Sequence, residues 1–302
     1  MSGLFFIVGP TASGKSELAA TVARNCGGEI VSADAFQIYA GLDLLTAKPE
    51  RALLEKAPHH LIGTVPLTEK RDAEQFRTAA LEALADIHAC GKPAFVVGGS
   101  GLYIKALTHG LSPLPKADER LRADLNEASA AELFARLQTL DPDTANEIDR
   151  QNKHRLLRAL EICLLTGRPA SIQRERAEPA QPPAGVLVFR DRAELYARIN
   201  ARVEKMFASG VVEDVRAAGG IGPTAAQTLG LRQIEELIAG RISHAEAIAQ
   251  IQQATRRYAK RQLTWFQRQS SFEPLNLSHI GFSEAIEWIT RKVRLSFTPQ
   301  HD

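Results

Sequence analysis

The feature that most constrains this chain is the run from Gly9 to Ser16, Gly-Pro-Thr-Ala-Ser-Gly-Lys-Ser. It has the G-x-x-x-x-G-K-[ST] spacing of a phosphate-binding loop. The apolar run 4–8 before it predicts a buried parallel strand, and the run 17–24 after it predicts a helix. Because strand, glycine-rich turn and helix form the context that this motif requires, we expect a di- or triphosphate ligand. The motif does not distinguish a nucleotide from another diphosphate.

The loop supplies several kinds of phosphate ligand at one place. Backbone N–H groups and the positive end of the following helix face one concavity that binds phosphate oxygens. Lys15 adds a charge that reaches between phosphates, and the Ser16 hydroxyl is placed to ligate Mg²⁺. The predicted phosphate-binding set is Gly9, Pro10, Thr11, Ala12, Ser13, Gly14, Lys15 and Ser16, and Ser16 is also the predicted metal ligand.

Composition narrows the class of protein. The chain has 302 residues, 44% of them hydrophobic, which is enough for a sizeable core in one large domain or two. Its three cysteines show no C-x-x-C spacing, which argues against a disulfide framework or a zinc site and fits a reducing, cytoplasmic setting. No signal peptide or membrane span is predicted. The net charge is only +2, so attraction to nucleic acid has to come from local patches.

Two more predicted strands end where the phosphate loop begins. The segment 29–34 ends at Asp34, and the strand 94–97 runs into Gly98-Gly99-Ser100-Gly101. In an open parallel sheet these carboxyl ends face the ligand crevice. Asp34 can hold Mg²⁺ or accept a proton there, although an N-cap or loop aspartate is the alternative. A Walker-B-type strand would end in an acidic residue, so Gly-Gly-Ser-Gly argues against a motor or switch NTPase.

The pattern of elements predicts two domains. From 116 to about 180 the periodicity is helical and no strand is predicted, and the proline-rich segment 178–185 is typical of a linker. The predicted fold class is α/β: a P-loop NTPase-like core with a mostly parallel sheet flanked by helices, plus an all-helical insertion domain. The core comprises 1–115 and 184–302, the latter with basic C-terminal helices, and the insertion comprises 116–183. Pattern alone does not give the order of the strands.

The long helix predicted for 243–268 carries a basic stripe. Its positive residues at i, i+1, i+4 and i+5 share one face, and two aromatic residues follow them. Such a surface suits an RNA backbone with a base to stack. The alternative, equally compatible with these residues, is a solvated helix face beside a core aromatic pair. The stripe and the aromatics are Arg256, Arg257, Lys260, Arg261, Trp265 and Phe266.

Taken together, these motifs resemble the tRNA dimethylallyltransferase (tRNA isopentenyltransferase) family over almost the whole chain, from about residue 4 to 268. The order and number of the motifs make the resemblance specific. They are the phosphate loop 9–16, Ser32-Ala33-Asp34, Gln37-Ile38-Tyr39, Thr46-Ala47-Lys48-Pro49, His59-His60-Leu61-Ile62, Val97-Gly98-Gly99-Ser100-Gly101-Leu102-Tyr103, Arg155-Leu156-Leu157-Arg158-Ala159-Leu160-Glu161 and Tyr258-Ala259-Lys260-Arg261-Gln262-Leu263-Thr264-Trp265-Phe266.

The resemblance implies transfer of a dimethylallyl group from dimethylallyl diphosphate to N6 of adenosine 37 in tRNAs that read codons beginning with U. The phosphate loop then holds the prenyl diphosphate with Mg²⁺ rather than ATP. By the same resemblance Asp34 accepts the N6 proton, Arg202 helps to stabilise the leaving diphosphate, and Ser100, where the family has threonine, helps to position the amine and the leaving group.

The resemblance also implies a set of tRNA contacts from several parts of the chain. They are Asp34, Ala35, Phe36, Gln37, Ser100, Arg122, His154, Arg155, Leu156, Leu157, Arg158, Gln227, Thr228, Leu229, Gly230, Leu231, Arg232, Lys260, Arg261, Gln262, Leu263, Thr264, Trp265, Phe266 and Gln267.

The chain departs from the family pattern at five positions. Ala35 replaces a serine, Ala40 a basic residue, Leu45 a glycine, Gln227 an arginine and Leu231 a tyrosine. The phosphate loop, the aspartate and the cations for the leaving group are all retained. We therefore expect intact chemistry with weaker tRNA affinity or selectivity than is usual in the family.

Two other functions share part of this evidence. A P-loop small-molecule kinase would use ATP and phosphorylate a hydroxyl near Asp34, but it leaves the basic C-terminal helix and the Gly-Gly-Ser-Gly segment without a role. A non-catalytic RNA-binding module would not need Lys15, Ser16, Asp34 and Arg202. We expect a monomer, because the sequence shows no heptad repeat and no evident interface patch.

Overall fold

The protein is described by a computed structural model that covers residues 3–173 and 183–297. By their contacts these residues divide into two compact units. One contains residues 3–108 and 183–297, and the other contains residues 109–173. The sequence places the insertion at 116–183. The linker predicted for 178–185 lies mostly outside the described residues, and its last residue, Gly185, begins a strand.

The larger unit is built on a six-stranded sheet in the order β3-β2-β4-β1-β5-β6, and every pair is parallel. β1 lies near the middle, where Val8 pairs with Gly98 on one side and Leu187 on the other. The predicted P-loop NTPase-like fold with a mostly parallel sheet is confirmed. The strands are β1 Leu4–Val8, β2 Glu29–Ala33, β3 His59–His60, β4 Ala94–Gly98, β5 Gly185–Phe189 and β6 Glu273–Asn276.

Helices cover this sheet and form the smaller unit. In chain order they are α1 Lys15–Cys26, α2 Arg51–Leu54, α3 Ala73–Ala89, α4 Gly101–His109, α5 Glu119–Glu127, α6 Ala130–Leu140, α7 Pro142–Glu147, α8 Lys153–Thr166, α9 Ala170–Gln173, α10 Arg192–Ala208, α11 Val211–Ala217, α12 Leu231–Ile238, α13 His244–Gln269 and α14 Phe282–Phe297. Among the described residues, no helix combines the length and apolar character needed to cross a bilayer.

Alternation along the central strand directs side chains into two core layers. Phe5 and Ile7 join a cluster with residues of α1 and α14, whereas Phe6 and Val8 join a cluster with residues of α3, α4 and α13. Successive strand residues face opposite sides, so a strand that is apolar throughout is buried on both faces. The helix α13, which carries the predicted basic stripe, is thereby packed through Phe266 against the sheet face opposite α1 and α14.

Three elements differ from the expectation. The sequence predicts a loop around 227–232, but α12 begins at Leu231, after Gly230 adopts a left-handed conformation with φ 94°. The helix α4, which is not predicted from the sequence, starts directly after the Gly-Gly-Ser turn. The edge strand β6 is missed because Glu-Pro-Leu-Asn lacks alternation and contains Pro274, which an edge position tolerates.

The smaller unit consists of α5–α9 and part of the preceding segment, and its described residues contain no strand. Leu133, Leu137, Leu156 and Leu160 belong to its core. Glu161 on α8 is fully buried among these apolar side chains. A buried carboxylate requires partners, because an unpaired charge in the interior is very costly.

Two arginines and one backbone N–H supply those partners. Arg122 Nε donates to Glu161 Oε1 at 2.9 Å, Arg158 Nη1 donates to Oε2, and Asp118 N donates to Oε1 at 2.8 Å. Burial by itself raises the pKa of Glu161, but the hydrogen bonds from Arg122 and Arg158 outweigh it and leave the pKa below its usual range. Arg122 and Arg158, both predicted tRNA contacts, thus have an internal partner.

We expect Glu161→Gln to destabilise the protein by roughly 3 kcal/mol, the low end for breaking a buried ion pair, because both arginines are part-exposed. The lowered pKa means that the stabilisation is present above the unfolded-state pKa and lost as pH falls through the folded-state pKa. The difference in free energy of unfolding between wild type and variant should therefore become smaller as the pH falls. Urea unfolding at several pH values measures it, with the exposed Glu127→Gln as the control. A pH-independent gap would contradict the assignment.

Candidate functional site

The phosphate loop connects β1 to α1 in a conformation that its sequence makes possible. Gly9 has φ 154°, and a Cβ there would lie 2.0 Å from the Val188 carbonyl oxygen on β5. Ala12 has φ 63°, a left-handed conformation that costs a residue with a side chain roughly 1–2 kcal/mol. Such a conformation persists only where surrounding contacts hold it.

A row of arginines supplies part of that support. Arg190 Nε donates to the Ser13 carbonyl at 2.9 Å, and Arg198 Nε donates to the Ala12 carbonyl at 2.9 Å. Arg202 Nη1 donates to Thr11 Oγ1 at 3.2 Å. Because the carbonyl oxygens bind these cations, the loop's polar groups are already ordered. The predicted Arg202 thus lies at the loop. Arg190 and Arg198 are missed by the site prediction. Arg198 lies four residues before Arg202 on α10, a spacing typical of one helix face, whereas Arg190 lies in the turn before α10 and had no such signal.

Lys15, the lysine of the motif, is half-buried and donates from Nζ to the Pro10 carbonyl at 3.2 Å. Burial lowers the pKa of Lys15 to about 8, with Asp34 opposing that shift and Arg202 adding to it. Burial likewise lowers the pKa of Arg202, and the charge of Asp34 opposes it. Two partly desolvated cations and one carboxylate therefore influence one another at the end of the loop. Such mutual perturbation is typical of functional sites.

Asp34 and Ser100 meet at the carboxyl edge of the sheet, as predicted. Asp34 Oδ1 accepts hydrogen bonds from Phe36 N at 3.0 Å and from Gln37 N at 3.3 Å. Ser100 Oγ accepts from Ala35 N at 2.9 Å and so joins the ends of β4 and β2. Both described hydrogen bonds of the carboxylate fall on one of its oxygens, so Asp34 orders its loop while it also lines a cavity.

That cavity lies beside the phosphate loop and has a mixed lining. Its polar groups come from α1, β2, β3 and the segment after β2, and its apolar groups come from β2, β4 and the loop positions Pro49 and Ile62. Its lining residues are Lys15, Ser16, Ile30, Ser32, Asp34, Gln37, Pro49, His59, Ile62, Val97 and Gly98. A cavity whose lining combines apolar side chains with charged groups suits a ligand with a small apolar part and an anionic part.

The donor set of this cavity fits a hard divalent cation. Ser16, Ser32 and Asp34 supply oxygen ligands, the type that Mg²⁺ prefers. The buried Ser13 Oγ has no hydrogen-bond partner among the described residues. No group of three or more His, Cys, Asp or Glu side chains suited to a metal occurs in the part of the chain that the structure describes. A cation here would therefore depend on these three oxygen donors together with oxygens of the ligand.

Two residues of α13 reach the same edge. The Gln262 side chain accepts from Thr11 N and donates to the Gly99 carbonyl, both at 2.9 Å. Tyr258, one turn earlier, has its hydroxyl close to the side chains of Ser100 and Gln262. Burial, with a further contribution from the charge of Asp34, raises the pKa of Tyr258 and keeps its hydroxyl protonated. Tyr258 is missed by the site prediction, although it lies four residues before Gln262 in the quoted motif.

The predicted tRNA contacts divide by exposure. The exposed members are His154, Arg155, Gln227, Arg232, Lys260, Arg261 and Gln267. The buried members are Leu156, Leu157, Thr228, Gly230, Leu231, Gln262 and Phe266. The remaining members, Asp34, Ala35, Phe36, Gln37, Ser100, Arg122, Arg158, Leu229, Leu263, Thr264 and Trp265, are half-buried. Only the exposed and half-buried members present surface for a large ligand.

Two of the departures from the family pattern lie together in the interior. Leu45 and Leu231 are 7% and 1% exposed and belong to one hydrophobic cluster with residues of α10, α11 and α13. A Cβ on Gly230, the residue before Leu231, would lie 3.1 Å from Leu45 Cδ1. The leucine at 45 therefore occupies space next to the position where the family has its tyrosine.

Comparison with known proteins agrees with this geometry. The model of the family described as IPP transferase matches residues 37–269. A relative from Citrifermentans bemidjiense named tRNA dimethylallyltransferase 1 is 45% identical over 87% of this chain and 88% of its own length.

Solved structures give the same result. The full-length tRNA isopentenylpyrophosphate transferase of Bacillus halodurans aligns over 100% of both chains with a TM-score of 0.72 and 31% identity. A eukaryotic dimethylallyltransferase described as acting on tRNA aligns with a TM-score of 0.79 over 100% of this chain and 81% of its own, and at 22% identity it supports the fold alone. The family match, the close relative and the shared architecture confirm the resemblance found in the sequence motifs: the chain belongs to the IPP transferase family.

Proposed function

We propose that this protein transfers a dimethylallyl group from dimethylallyl diphosphate to N6 of adenosine 37 of tRNAs that read codons beginning with U. The observation that carries the proposal is the meeting of the cation-rich phosphate loop and Asp34 at one cavity. The relatives named above are tRNA dimethylallyltransferases or tRNA isopentenyl transferases, which supports the same reaction. We place the reaction in the cytoplasm and expect a monomer to perform it.

The loop supports a diphosphate leaving group. Lys15 Nζ donates to the Pro10 carbonyl and Arg202 Nη1 to the Thr11 hydroxyl, and α1 begins at Lys15, directly after the loop. As the allylic C–O bond breaks, negative charge builds up on the diphosphate oxygens. Preordered cations stabilise that charge without having to reorganise, and this is the main way in which such sites lower a barrier. When bound, Mg²⁺ held through Ser16 would neutralise further charge on the diphosphate.

In this proposal Asp34 acts on the nucleophile. The adenosine N6 attacks the allylic carbon, a C–N bond forms, diphosphate leaves, and the extra proton on N6 passes to Asp34. With Oδ1 already bonded to Phe36 N and Gln37 N, the carboxylate is held in a fixed orientation. Ser100, fixed by the hydrogen bond from Ala35 N, presents its hydroxyl near this carboxylate and positions the amine. The target base must leave the anticodon stack to enter.

The exposed basic residues of α13 form the RNA surface of this proposal. Lys260 and Arg261 are exposed, and so are Arg257 and Arg268 on the same helix. Arg256, the other member of the predicted stripe, instead donates to Asn200 Oδ1 at 2.9 Å and joins α13 to α10. The stripe is therefore partly structural and partly open to phosphate groups.

The proposal is tested by incubating the protein with Mg²⁺, dimethylallyl diphosphate and an unmodified anticodon stem-loop RNA that has adenosine at position 37. Mass spectrometry of the nucleosides should show N6-dimethylallyl-adenosine. A control RNA with guanosine at that position should stay unmodified. Consumption of ATP with a phosphorylated small acceptor, and no prenylated nucleoside, would instead identify a kinase.

We expect Asp34→Asn to lower the single-turnover rate by roughly 10²–10⁴, the usual contribution of a general base. The amide oxygen still accepts from Phe36 N, so the loop should keep its shape and diphosphate affinity should be largely retained. Rapid-quench measurement with saturating donor and RNA gives the rate. A variant as fast as wild type would remove Asp34 from this role.

Arg257→Ala combined with Lys260→Ala should weaken RNA binding and flatten its salt dependence by about one to two units of slope, because phosphate contacts release counterions. Arg261 is left in place because its guanidinium lies 5.8 Å from the centre of the Tyr258 ring. The matched control removes Arg24 and Arg291, two exposed arginines on helices that cover the other face of the sheet. Equal slopes for both double variants would place the RNA surface elsewhere.

Affinity for Mg²⁺-diphosphate should depend on the charge of Lys15. With its pKa lowered to about 8, Lys15 is charged below that pH and increasingly neutral above it. Wild type should bind Mg²⁺-diphosphate more tightly than Lys15→Met, and this advantage in affinity should decrease as the pH rises from 7 to 9. Titration calorimetry measures both affinities. Lys15→Arg, which stays charged over this range, should keep a constant advantage over Lys15→Met. A wild-type advantage that is constant with pH would contradict the assignment.

A further inference from the structure

We propose that Gln262 is a positioning residue of the donor site: its side-chain amide fixes the phosphate loop on the end of β4, and it makes no contact with RNA. The proposal rests on the function proposed above, and it changes the role that the sequence motif suggests. Gln262 lies directly after Lys260 and Arg261, in the stretch where tRNA contacts are expected. Its surroundings are those of an interior residue.

The position on the helix separates Gln262 from its neighbours. Lys260 and Arg261 are exposed, whereas Gln262 is only 6% exposed and faces the sheet. A side chain this buried offers no surface to an RNA backbone. The same helix can therefore serve two ligands, with its outer face toward RNA and its inner face toward the phosphate loop.

The amide makes two opposed hydrogen bonds across the site. Oε1 accepts from Thr11 N in the phosphate loop, and Nε2 donates to the Gly99 carbonyl at the end of β4, both at 2.9 Å. An amide side chain carries no charge and offers a donor and an acceptor on the same carbon, which matches these two partners. Gly99 leaves the space for it, because a Cβ there would lie 2.3 Å from Gln262 Nε2.

The bond to Thr11 N acts at a sensitive point of the loop. Thr11 immediately precedes Ala12, which holds a left-handed conformation, and the Thr11 hydroxyl accepts from Arg202. Fixing the Thr11 peptide therefore orders both the strained residue and one of the cations for the leaving group. A loop that is already ordered does not lose that entropy when the diphosphate binds.

Tyr258 extends the same arrangement to the acceptor side. Its hydroxyl lies close to the side chains of Gln262 and Ser100, and Ser100 Oγ accepts from Ala35 N beside Asp34. Two residues one turn apart on α13 thus lie where the phosphate loop, the end of β4 and the end of β2 meet. Gln262 is the member of this pair that touches the phosphate loop itself.

The test compares Gln262→Leu with Gln253→Leu, the same change at an exposed position of the same helix. Leucine removes both hydrogen bonds at similar volume and leaves a buried N–H and a buried carbonyl unpaired. For Gln262→Leu we expect roughly ten-fold or greater weakening of Mg²⁺-diphosphate binding by titration calorimetry, because two hydrogen bonds that order the loop are lost. RNA binding should stay within about two-fold of wild type. In steady-state assays the KM for the donor should rise while the KM for RNA stays constant.

A second variant tests whether the effect of Gln262→Leu comes from the lost hydrogen bonds or from a general disruption of the structure. Gln262→Glu keeps the acceptor for Thr11 N but loses the donor for Gly99 and adds negative charge, so we expect it to bind diphosphate more weakly with RNA affinity unchanged. Equal diphosphate affinity in wild type and Gln262→Leu, or RNA binding that weakens while diphosphate binding is kept, would overturn the inference alone. A wild-type protein that bound no diphosphate would overturn the proposed function and this inference with it.

Discussion

The hydrogen bonds that reach the phosphate loop from distant parts of the chain are the constraint on which this site depends. Arginines from the β5–α10 segment bind its carbonyls at Ala12 and Ser13, and α13 binds the N–H of Thr11. Each contact joins residues more than 170 positions apart in sequence, so the loop takes its working shape only in the folded chain. The sheet brings these segments together, because β5 lies next to β1.

This support gathers positive charge at one place before any ligand binds. Burial lowers the pKa of both Lys15 and Arg202, so the free site carries an electrostatic cost that Asp34 only partly offsets. An anion that enters relieves that cost, since it pairs the cations and favours their charged forms. The site thereby favours highly charged ligands over neutral ones of similar shape. Proteins often place such local instability where they bind ligands.

Local sequence patterns predicted much of this arrangement, but they did not predict the contacts between segments that are distant in sequence. The spacing from Gly9 to Ser16 predicted the loop, and the ends of two apolar runs predicted that Asp34 and Ser100 would share an edge, because parallel strands align their carboxyl ends. The bonds of Arg190 and Gln262 depend on how helices pack across the sheet, which no local periodicity encodes. The strand β6 was missed for a related reason, since its pairing with β5 and not its own composition defines it. The sequence also did not reveal which residues of this motif are exposed. Nothing in the motif around Gln262 distinguishes the side chain that faces the core from the neighbours that face solvent.

The contact between Leu45 and the segment around Leu231 has an evolutionary consequence. The family resemblance seen in the sequence implies glycine at the first position and tyrosine at the second, and here both are leucine. Position 45 needs no glycine for its backbone, since Leu45 is not among the described residues with positive φ. A larger side chain at one position and a smaller one at the other would exchange volume within one cluster. Among homologues the residues at the two positions should therefore covary, with small residues at 45 accompanying large aromatic residues at 231. The two differences would then be one change in packing and not two independent losses.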